Sequence, residues 1–192
     1  MDVDEMRVRS AHIDSSHKVE IERLAIELLR HDIRPPVVEA ATNISTDRLR
    51  TWYKEIHNQS PPRGAMSSSS AILLCPKRFI ETTLAFHIYL TLTGLAQAKR
   101  EIDYYALCNT IRLYRRKRAE LGFPAKNEAP SNDIFVLARD FRSGLIELAE
   151  CRCGAHYPTV PERQLVALFT GKLAPRQCPA CHIEQYRSTM RD

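Results

Sequence analysis

The sequence lacks the segments that would enter or cross a membrane. No apolar run approaches the 18 residues that a transmembrane helix needs, and the first 18 residues have no apolar stretch of the kind found in a signal peptide. We therefore expect a cytoplasmic protein without a membrane partner. Structural disulfides are rare in that reducing compartment, so the six cysteines favour a metal site over disulfide bonds.

The sequence also lacks the short motifs of the common enzyme classes. It contains no P-loop, no Gly-x-Gly-x-x-Gly, no His-Glu-x-x-His and no Gly-x-Ser-x-Gly. The histidines are scattered and have no regular pairing with carboxylates. We therefore expect that the protein is not an enzyme and has no small-molecule substrate.

Length, charge and apolar periodicity indicate how the chain is organised. Its 192 residues suit one main domain with a small appendage, and the net charge of +5 leans toward a polyanionic partner. The first helix has one apolar face, formed by Ile21, Leu24, Ala25, Leu28 and Leu29. Further helices are predicted over 79–95, 103–120 and 133–149. The predicted fold is mainly α, with a flexible tail over 1–18, a helical body that binds DNA or a partner over 19–150, and a zinc-binding module over 151–192.

The segment "VVEAATNISTDRLRTWYKEI" has the spacing of a helix-turn-helix. Its core positions would be Val38, Ile44, Leu49 and Trp52. The recognition helix would span 46–57 and expose Arg48, Arg50 and Lys54, which can reach phosphates or guanine edges. The match is imperfect, because Glu39 stands where a small residue is usual and Asn43 replaces the turn glycine. An ordinary helical corner remains the alternative interpretation.

A run of basic residues marks the helix predicted over 103–120. The cations that we single out there as candidate phosphate contacts are Arg112, Arg115, Arg116, Lys117 and Arg118. Cations also favour the negative end of a helix dipole, so a solvated helix end is the alternative. Phosphate contact is favoured because the cluster is denser than capping requires.

Four of the cysteines form two close pairs, Cys151 with Cys153 and Cys178 with Cys181. Zinc prefers four thiolate or imidazole ligands in a tetrahedron, and the Cys-x-x-Cys of the second pair lets one tight turn direct both sulfurs at one ion. The first pair is one residue closer than the common spacing. The fourth ligand is therefore either Cys151 or one of three neighbours, which are Glu150, His156 and His182.

The sequence "CPAC" also has the form of a thioredoxin-like redox motif. That motif requires a preceding strand and a helix that opens at the first cysteine, within a βαβ fold. The flanking "LAPRQ" and the polar C-terminal residues do not fit this context. We therefore expect one structural zinc ion per chain, which stabilises a small C-terminal module.

Several segments together resemble the FlhC family, the C subunits of the bacterial flagellar transcriptional activator. They are "STDRLRTWYKEIHNQSPPRGAM", "IRLYRRKR", "FRSGLIELAECRCGAHY" and "CPAC". The likeness runs from about Ile21 to Tyr186. The resemblance implies a helical body with a zinc-binding C-terminal region and a hetero-oligomer with the subunit FlhD. It further implies binding to double-stranded DNA upstream of flagellar promoters and recruitment of RNA polymerase holoenzyme.

The resemblance also implies a ligand set for the zinc ion. The family's four cysteine ligands form two Cys-x-x-Cys pairs, which Cys153, Cys178 and Cys181 match. An ungapped match puts Glu150 at the remaining position and Cys151 one residue away, and the preference of zinc for thiolate in a sulfur-rich site favours Cys151. The alternative function is that of a zinc-stabilised adaptor that binds protein or RNA without specificity for duplex DNA.

Overall fold

The structure is a computed structural model. It describes the backbone of residues 3–123, 127–161 and 177–181, and the side chains of these residues from 17 onward. The helices are α1 (Val3–Arg30), α2 (Pro35–Thr42), α3 (Thr46–His57), α4 (Ser69–Leu73), α5 (Pro76–Thr93), α6 (Leu95–Ala98), α7 (Tyr104–Glu120) and α8 (Ser131–Arg142). Two strands follow, β1 (Glu147–Glu150) and β2 (His156–Thr159). The prediction of a mainly α fold is confirmed.

The chain divides into two compact units, Met1–Arg63 and Gly64–Asp192. The boundary falls inside the loop "NQSPPRGAM", where Pro and Gly interrupt the helical pattern. The body predicted over 19–150 therefore contains helices of both units. A flexible tail is predicted over 1–18, whereas the structure places residues 3–18 in α1.

The first unit consists of α1, α2 and α3, and each of these helices packs against the other two. Its core contains Leu24, Ala25, Leu28, Leu29, Val37, Val38, Leu49 and Tyr53. Pro35 lies in the first turn of α2, where its missing N–H costs no hydrogen bond. Asn43 ends α2 with a left-handed φ of 58°, so the chain turns into α3 within a few residues.

In the second unit, α5 packs against α4, α6, α7 and α8 and therefore lies at the centre. The buried aromatic residues of α5 are Phe79, Phe86 and Tyr89. The rings of Phe86 and Phe141 meet edge to face at 5.4 Å. Asp103 caps α7 by accepting a 2.8 Å hydrogen bond from the Ala106 N–H.

None of the helices described here combines the length and the apolar composition that a bilayer span requires.

The strands β1 and β2 form an antiparallel hairpin that packs against α5. The Phe79 and Tyr157 rings meet edge to face at 6.1 Å. His87 donates a 2.7 Å hydrogen bond from Nε2 to the carbonyl oxygen of His156, which satisfies this half-buried imidazole. The predicted boundary at residue 151 therefore divides one hairpin, because β1 belongs to the predicted body and β2 to the predicted module.

The prediction of a helix over 133–149 is wrong in its last part, because α8 ends at Arg142. Gly144 has a φ of +73° and donates to the Phe141 carbonyl at 3.2 Å, while the Leu145 N–H donates to the Asp140 carbonyl at 2.8 Å. This pair of bonds is a Schellman C-cap, which requires the left-handed conformation that glycine adopts without strain. The residues after the cap form β1.

Candidate metal centre and basic helices

The turn of the hairpin holds the first cysteine pair. The Cys151 N–H donates to the Ala155 carbonyl and the Gly154 N–H donates to the Cys151 carbonyl, each at 2.8 Å. Gly154 has a φ of +85°, a conformation that a residue with a Cβ adopts only with strain. The glycine therefore lets a short turn bring the side chains of Cys151 and Cys153 to one side.

The fold brings all four paired cysteines together. Their sulfur atoms lie within 4.8 Å of one another, and the Cys153 and Cys178 sulfurs are 3.5 Å apart. A tetrahedral zinc ion with Zn–S bonds of about 2.3 Å separates its sulfur ligands by about 3.8 Å. Cys151 and Cys178 are buried, and all four thiols are free of disulfide bonds. The donor set and its spacing therefore fit one metal ion of the size and softness of zinc.

The pKa shifts of Cys151, Cys178 and Cys181 indicate why this cluster favours a cation. Hydrogen bonds from the backbone of Cys153 and then of Cys178 lower the pKa of the Cys151 thiol to about 6. Burial raises the pKa of Cys178, and hydrogen bonds with the Cys153 and Cys178 side chains raise the pKa of Cys181 to about 12. One thiolate thus forms readily, and further ionisation needs a positive charge among the sulfurs.

Two of the three alternative fourth ligands, Glu150 and His156, do not join this cluster. Glu150 is exposed at the end of β1, where it pairs in register with His156. His156 is exposed as well, and neither residue belongs to the group of ligand atoms that the four sulfurs form. His182 lies outside the described residues. The structure therefore assembles the four predicted cysteines without these two neighbours.

The predicted helix-turn-helix corresponds to α2, the turn over 43–45, and α3. Val38 and Leu49 are fully buried, as the spacing predicts, whereas Ile44 and Trp52 are half-buried. Tyr53 is the second buried residue of α3, and its hydroxyl donates to Asp32 at 3.2 Å. Its burial raises the pKa of the phenol. Tyr53 is not among the predicted core positions because Trp52 next to it has the expected spacing.

The three predicted cations of α3 lie on its exposed side. Arg48 donates to Glu22 of α1 at 2.9 Å, and its guanidinium lies 4.5 Å from the centre of the Trp52 ring. Arg50 donates to Asp47, one turn earlier in the same helix, at 3.1 Å. These pairs are solvent-exposed, so each stabilises the protein by about 1 kcal/mol or less and can be exchanged for a phosphate.

Glu39, which departs from the usual helix-turn-helix pattern, has a definite place in the structure. Its carboxylate accepts a 3.0 Å hydrogen bond from the Thr46 N–H and a second one from the Thr46 hydroxyl. An acidic residue where a small one is usual is the sequence signal that could have indicated the contact of Glu39 with Thr46. Ser45, which has the N-cap position of α3, makes no side-chain capping bond.

Arg118 does not belong to the exposed basic stripe predicted on α7. Its side chain is buried, and its guanidinium lies 3.2 Å from Glu81 and 3.5 Å from Glu128. The nearby Tyr114 hydroxyl donates to Glu81 at 2.7 Å. Arg118 is therefore engaged in the core of the second unit, and the prediction that it contacts phosphate is corrected on that ground.

The other four predicted cations of α7 reach solvent. Arg115 donates to Glu128 at 2.8 Å, and Arg112 to Asn109 at 2.6 Å. Arg116 and Lys117 share Glu120, at 3.1 and 2.8 Å. The basic face of α7 consists of Arg112, Arg115, Arg116 and Lys117, and its positive charge is partly balanced by these carboxylates.

Comparison with known proteins places this combination of features in one family. A family model described as "Flagellar transcriptional activator (FlhC)" matches residues 11–183. A protein of Paraburkholderia atlantica named "Flagellar transcriptional regulator FlhC" is 30% identical over 138 residues, which are 70% of this chain and 60% of that protein. This chain thus spans less than two thirds of that relative.

Two further proteins with the same name match over a similar length. The protein of Erwinia tasmaniensis is 29% identical over 143 residues, 72% of this chain and 76% of its own length. The protein of Proteus mirabilis is 26% identical over 141 residues, 71% of this chain and 69% of its own length. The family match extends over most of both units and includes both cysteine pairs and the basic helices. The chain belongs to the FlhC family of flagellar transcriptional regulators.

Proposed function

We propose that this protein is the DNA-binding subunit of a flagellar transcription activator. In a hetero-oligomer with an FlhD-type subunit, it binds double-stranded DNA upstream of flagellar promoters and recruits RNA polymerase holoenzyme in the cytoplasm. The observation that carries the DNA-binding part is the arrangement of α2, turn and α3 in a chain of this family. Family membership supports the role in transcription, and it agrees with the lack of enzyme motifs.

The proposed recognition helix is α3. Leu49 and Tyr53 face the core, so the exposed side presents Arg48, Arg50 and Lys54 to a DNA groove. Arginine can donate two parallel hydrogen bonds to guanine, and lysine supplies a mobile charge for phosphate. Arg48 is held between Glu22 and Trp52 before DNA arrives, which lowers the entropy lost when it binds.

The basic face of α7 is proposed as a phosphate-contacting surface. Its cations lie within two helical turns and carry more positive charge than Glu120 and Glu128 balance. Phosphate contacts of this kind add affinity without sequence preference, and they make binding sensitive to salt. This surface and α3 lie in different units, so the contribution of each to DNA affinity rests on its own contacts.

The proposed ligands of the structural metal are Cys151, Cys153, Cys178 and Cys181, and the proposed ion is zinc. Four thiolates at this spacing suit zinc, and four protein ligands leave no position open for a reacting water. When bound, the ion would supply the positive charge that the crowded thiolates lack. It would also join the hairpin turn to the segment around Cys178, which is distant in sequence.

A zinc-stabilised adaptor that binds protein or RNA is the second candidate function. It is favoured by the partial neutralisation of the exposed helices, since most of their cations already pair with a carboxylate. Such an adaptor would keep the metal centre and a partner-binding role but would show no preference for promoter DNA.

One binding experiment separates the two candidates. The full chain is co-expressed with its FlhD-type subunit, and binding to a flagellar promoter fragment and to a scrambled fragment is measured over a salt series. The activator predicts promoter preference that needs both subunits, with affinity that falls steeply as salt rises. A stable two-subunit complex that binds both fragments equally would support the adaptor.

A further inference from the structure

The turn between α2 and α3 is organised by one acidic side chain. Ser45 has the N-cap position of α3, but its hydroxyl makes no capping hydrogen bond. The cap comes instead from Glu39, seven residues before Thr46. One carboxylate oxygen accepts the Thr46 N–H at 3.0 Å, and the other accepts the Thr46 hydroxyl. The half-buried Glu39 side chain thus closes the turn from the preceding helix.

This contact satisfies two physical requirements of a helix start. The first N–H groups of a helix have no partner within the helix, and its N-terminal end carries a partial positive charge. A carboxylate answers both, because it accepts hydrogen bonds and carries the opposite charge. The Thr46 hydroxyl and then the Thr46 N–H lower the pKa of Glu39, so it is ionised at neutral pH.

The backbone of Glu39 fixes the other end of the turn. Its carbonyl oxygen accepts a 2.8 Å hydrogen bond from the Asn43 N–H, where the chain leaves α2 in a left-handed conformation. One residue therefore holds both the end of α2 and the start of α3. A small residue is usual at this position of a helix-turn-helix. Its backbone carbonyl could still accept the Asn43 N–H, but it has no carboxylate to accept the two bonds from Thr46.

We propose that Glu39 is the positioning residue that fixes the register and direction of the recognition helix, and so sets how well α3 discriminates promoter DNA. This inference rests on the proposed function. Glu39 acts through Thr46 and does not contact the DNA bases. Because its carboxylate engages both the N–H and the hydroxyl of Thr46, the first residue of α3 binds no phosphate through these groups. Discrimination then comes from the next turns, which carry Arg48, Arg50 and Lys54.

A repulsive role makes the opposite prediction. A carboxylate near the DNA backbone would weaken binding to every sequence, and its neutralisation would strengthen binding to promoter and scrambled fragments alike. A positioning role predicts weaker promoter binding and little change on the scrambled fragment, because phosphate contacts depend less on side-chain register. The sign of the effect and its dependence on DNA sequence therefore distinguish the two roles.

The test compares Glu39→Gln and Glu39→Ala with the native chain, each co-purified with the FlhD-type subunit. Glu20→Ala, at an exposed position of α1, serves as the control for loss of one negative charge. The first readout is the hydrogen-exchange rate at the Thr46 amide without DNA. The second is the ratio of promoter to scrambled affinity over a salt series, and the third is the melting temperature.

Positioning predicts that Glu39→Ala raises Thr46 exchange and lowers the promoter ratio, each about tenfold, with an unchanged salt slope. Glu39→Gln keeps one acceptor oxygen and should recover part of both effects, which also preserves the test if the alanine variant fails to fold. An unchanged exchange rate at Thr46 in Glu39→Ala, or tighter binding of this variant to both fragments, would overturn the proposal. If the native complex shows no promoter preference, the proposed function fails, and Thr46 exchange alone decides whether Glu39 holds α3.

Discussion

At the scale of single residues, Glu81 is where the buried polar contacts of the second unit converge. Its carboxylate accepts from the Tyr114 hydroxyl at 2.7 Å and pairs with the Arg118 guanidinium at 3.2 Å, and both members of the ion pair are less than a tenth exposed. Burial, together with the bond to Glu81, raises the pKa of Tyr114. Removal of one partner from such a pair leaves an uncompensated buried charge, which is costly.

We therefore expect opposite outcomes for two arginines of α7. Arg118→Met should reduce the free energy of unfolding by about 3–5 kcal/mol, because Glu81 stays buried without its cation. Arg116→Met removes only an exposed pair with Glu120 and should change the free energy of unfolding by about 0.5 kcal/mol or less. Urea denaturation of both variants with metal present checks this prediction. Equal losses would contradict the assignment of Arg118 to the core.

The identity of the fourth metal ligand is also decided at single residues. Cys151→Ser should reduce the zinc bound per chain, since its sulfur lies within the cluster, whereas Glu150→Gln should leave the zinc content unchanged. Elemental analysis of the purified variants measures both. Greater zinc loss in Glu150→Gln than in Cys151→Ser would transfer the ligand role to the glutamate.

At the scale of elements, α7 has two faces that its sequence separates only in part. Leu107, Ile111, Tyr114 and Arg118 follow one another at steps of four, three and four residues and are all buried. Arg118 continues the helical spacing of the three apolar residues before it. This spacing is the sequence signal that Arg118 faces the core. The charged neighbours in "RRKR" favour a different interpretation, in which Arg118 belongs to the exposed basic stripe.

The basic face of α7 should contribute to the salt dependence of DNA binding. A triple change of Arg112, Arg116 and Lys117 to glutamine should weaken binding to promoter and scrambled DNA alike and reduce the salt slope by about 2–3. A salt series with the two-subunit complex measures the slope. Glu120→Gln is the matched control, because it frees two of these cations and should strengthen binding. An unchanged slope in the triple variant would make this face a solvated helix end.

The end of α8 shows why periodicity alone misplaced an element boundary. Leu145 and Leu148 continue the helical spacing of Phe141, which extended the predicted helix to 149. The stop signal is local: Gly144 adopts a left-handed conformation, and the carbonyl oxygens of Asp140 and Phe141 accept the capping bonds. The glycine near the end of this apolar helix therefore predicts the helix boundary better than the spacing of the two leucines that follow it.

At the scale of the whole molecule, the sequence predicts the mainly helical composition and the paired cysteines, because both are visible in local patterns. It does not predict that the hairpin packs on α5 through Phe79 and Tyr157, since this contact joins residues far apart in the chain. Nor does it predict that Glu39 caps a helix it does not belong to. Contacts of this kind depend on the tertiary arrangement, for which one sequence carries no periodic signal.

The protonation of the metal centre predicts a pH dependence for the whole protein. Zinc binds thiolates, so protons compete with it, most strongly at thiols such as Cys181 whose pKa is raised to about 12. The apparent zinc affinity should rise with pH, by at least about tenfold from pH 6 to pH 7. Competition with a zinc chelator of known affinity measures this. A pH-independent affinity would contradict ligation by thiols that must lose their protons when zinc binds.

The central claim is that this chain contacts promoter DNA through α3. The most direct measurement is photo-cross-linking of the two-subunit complex, with a photoreactive amino acid in place of Thr51, which is exposed on α3 between the proposed contacts. The same amino acid at Glu20 of α1 is the control. We predict cross-links from position 51 to the promoter fragment, fewer to a scrambled fragment and few from position 20. A complex that binds the promoter yet yields no cross-links from position 51 would contradict the claim.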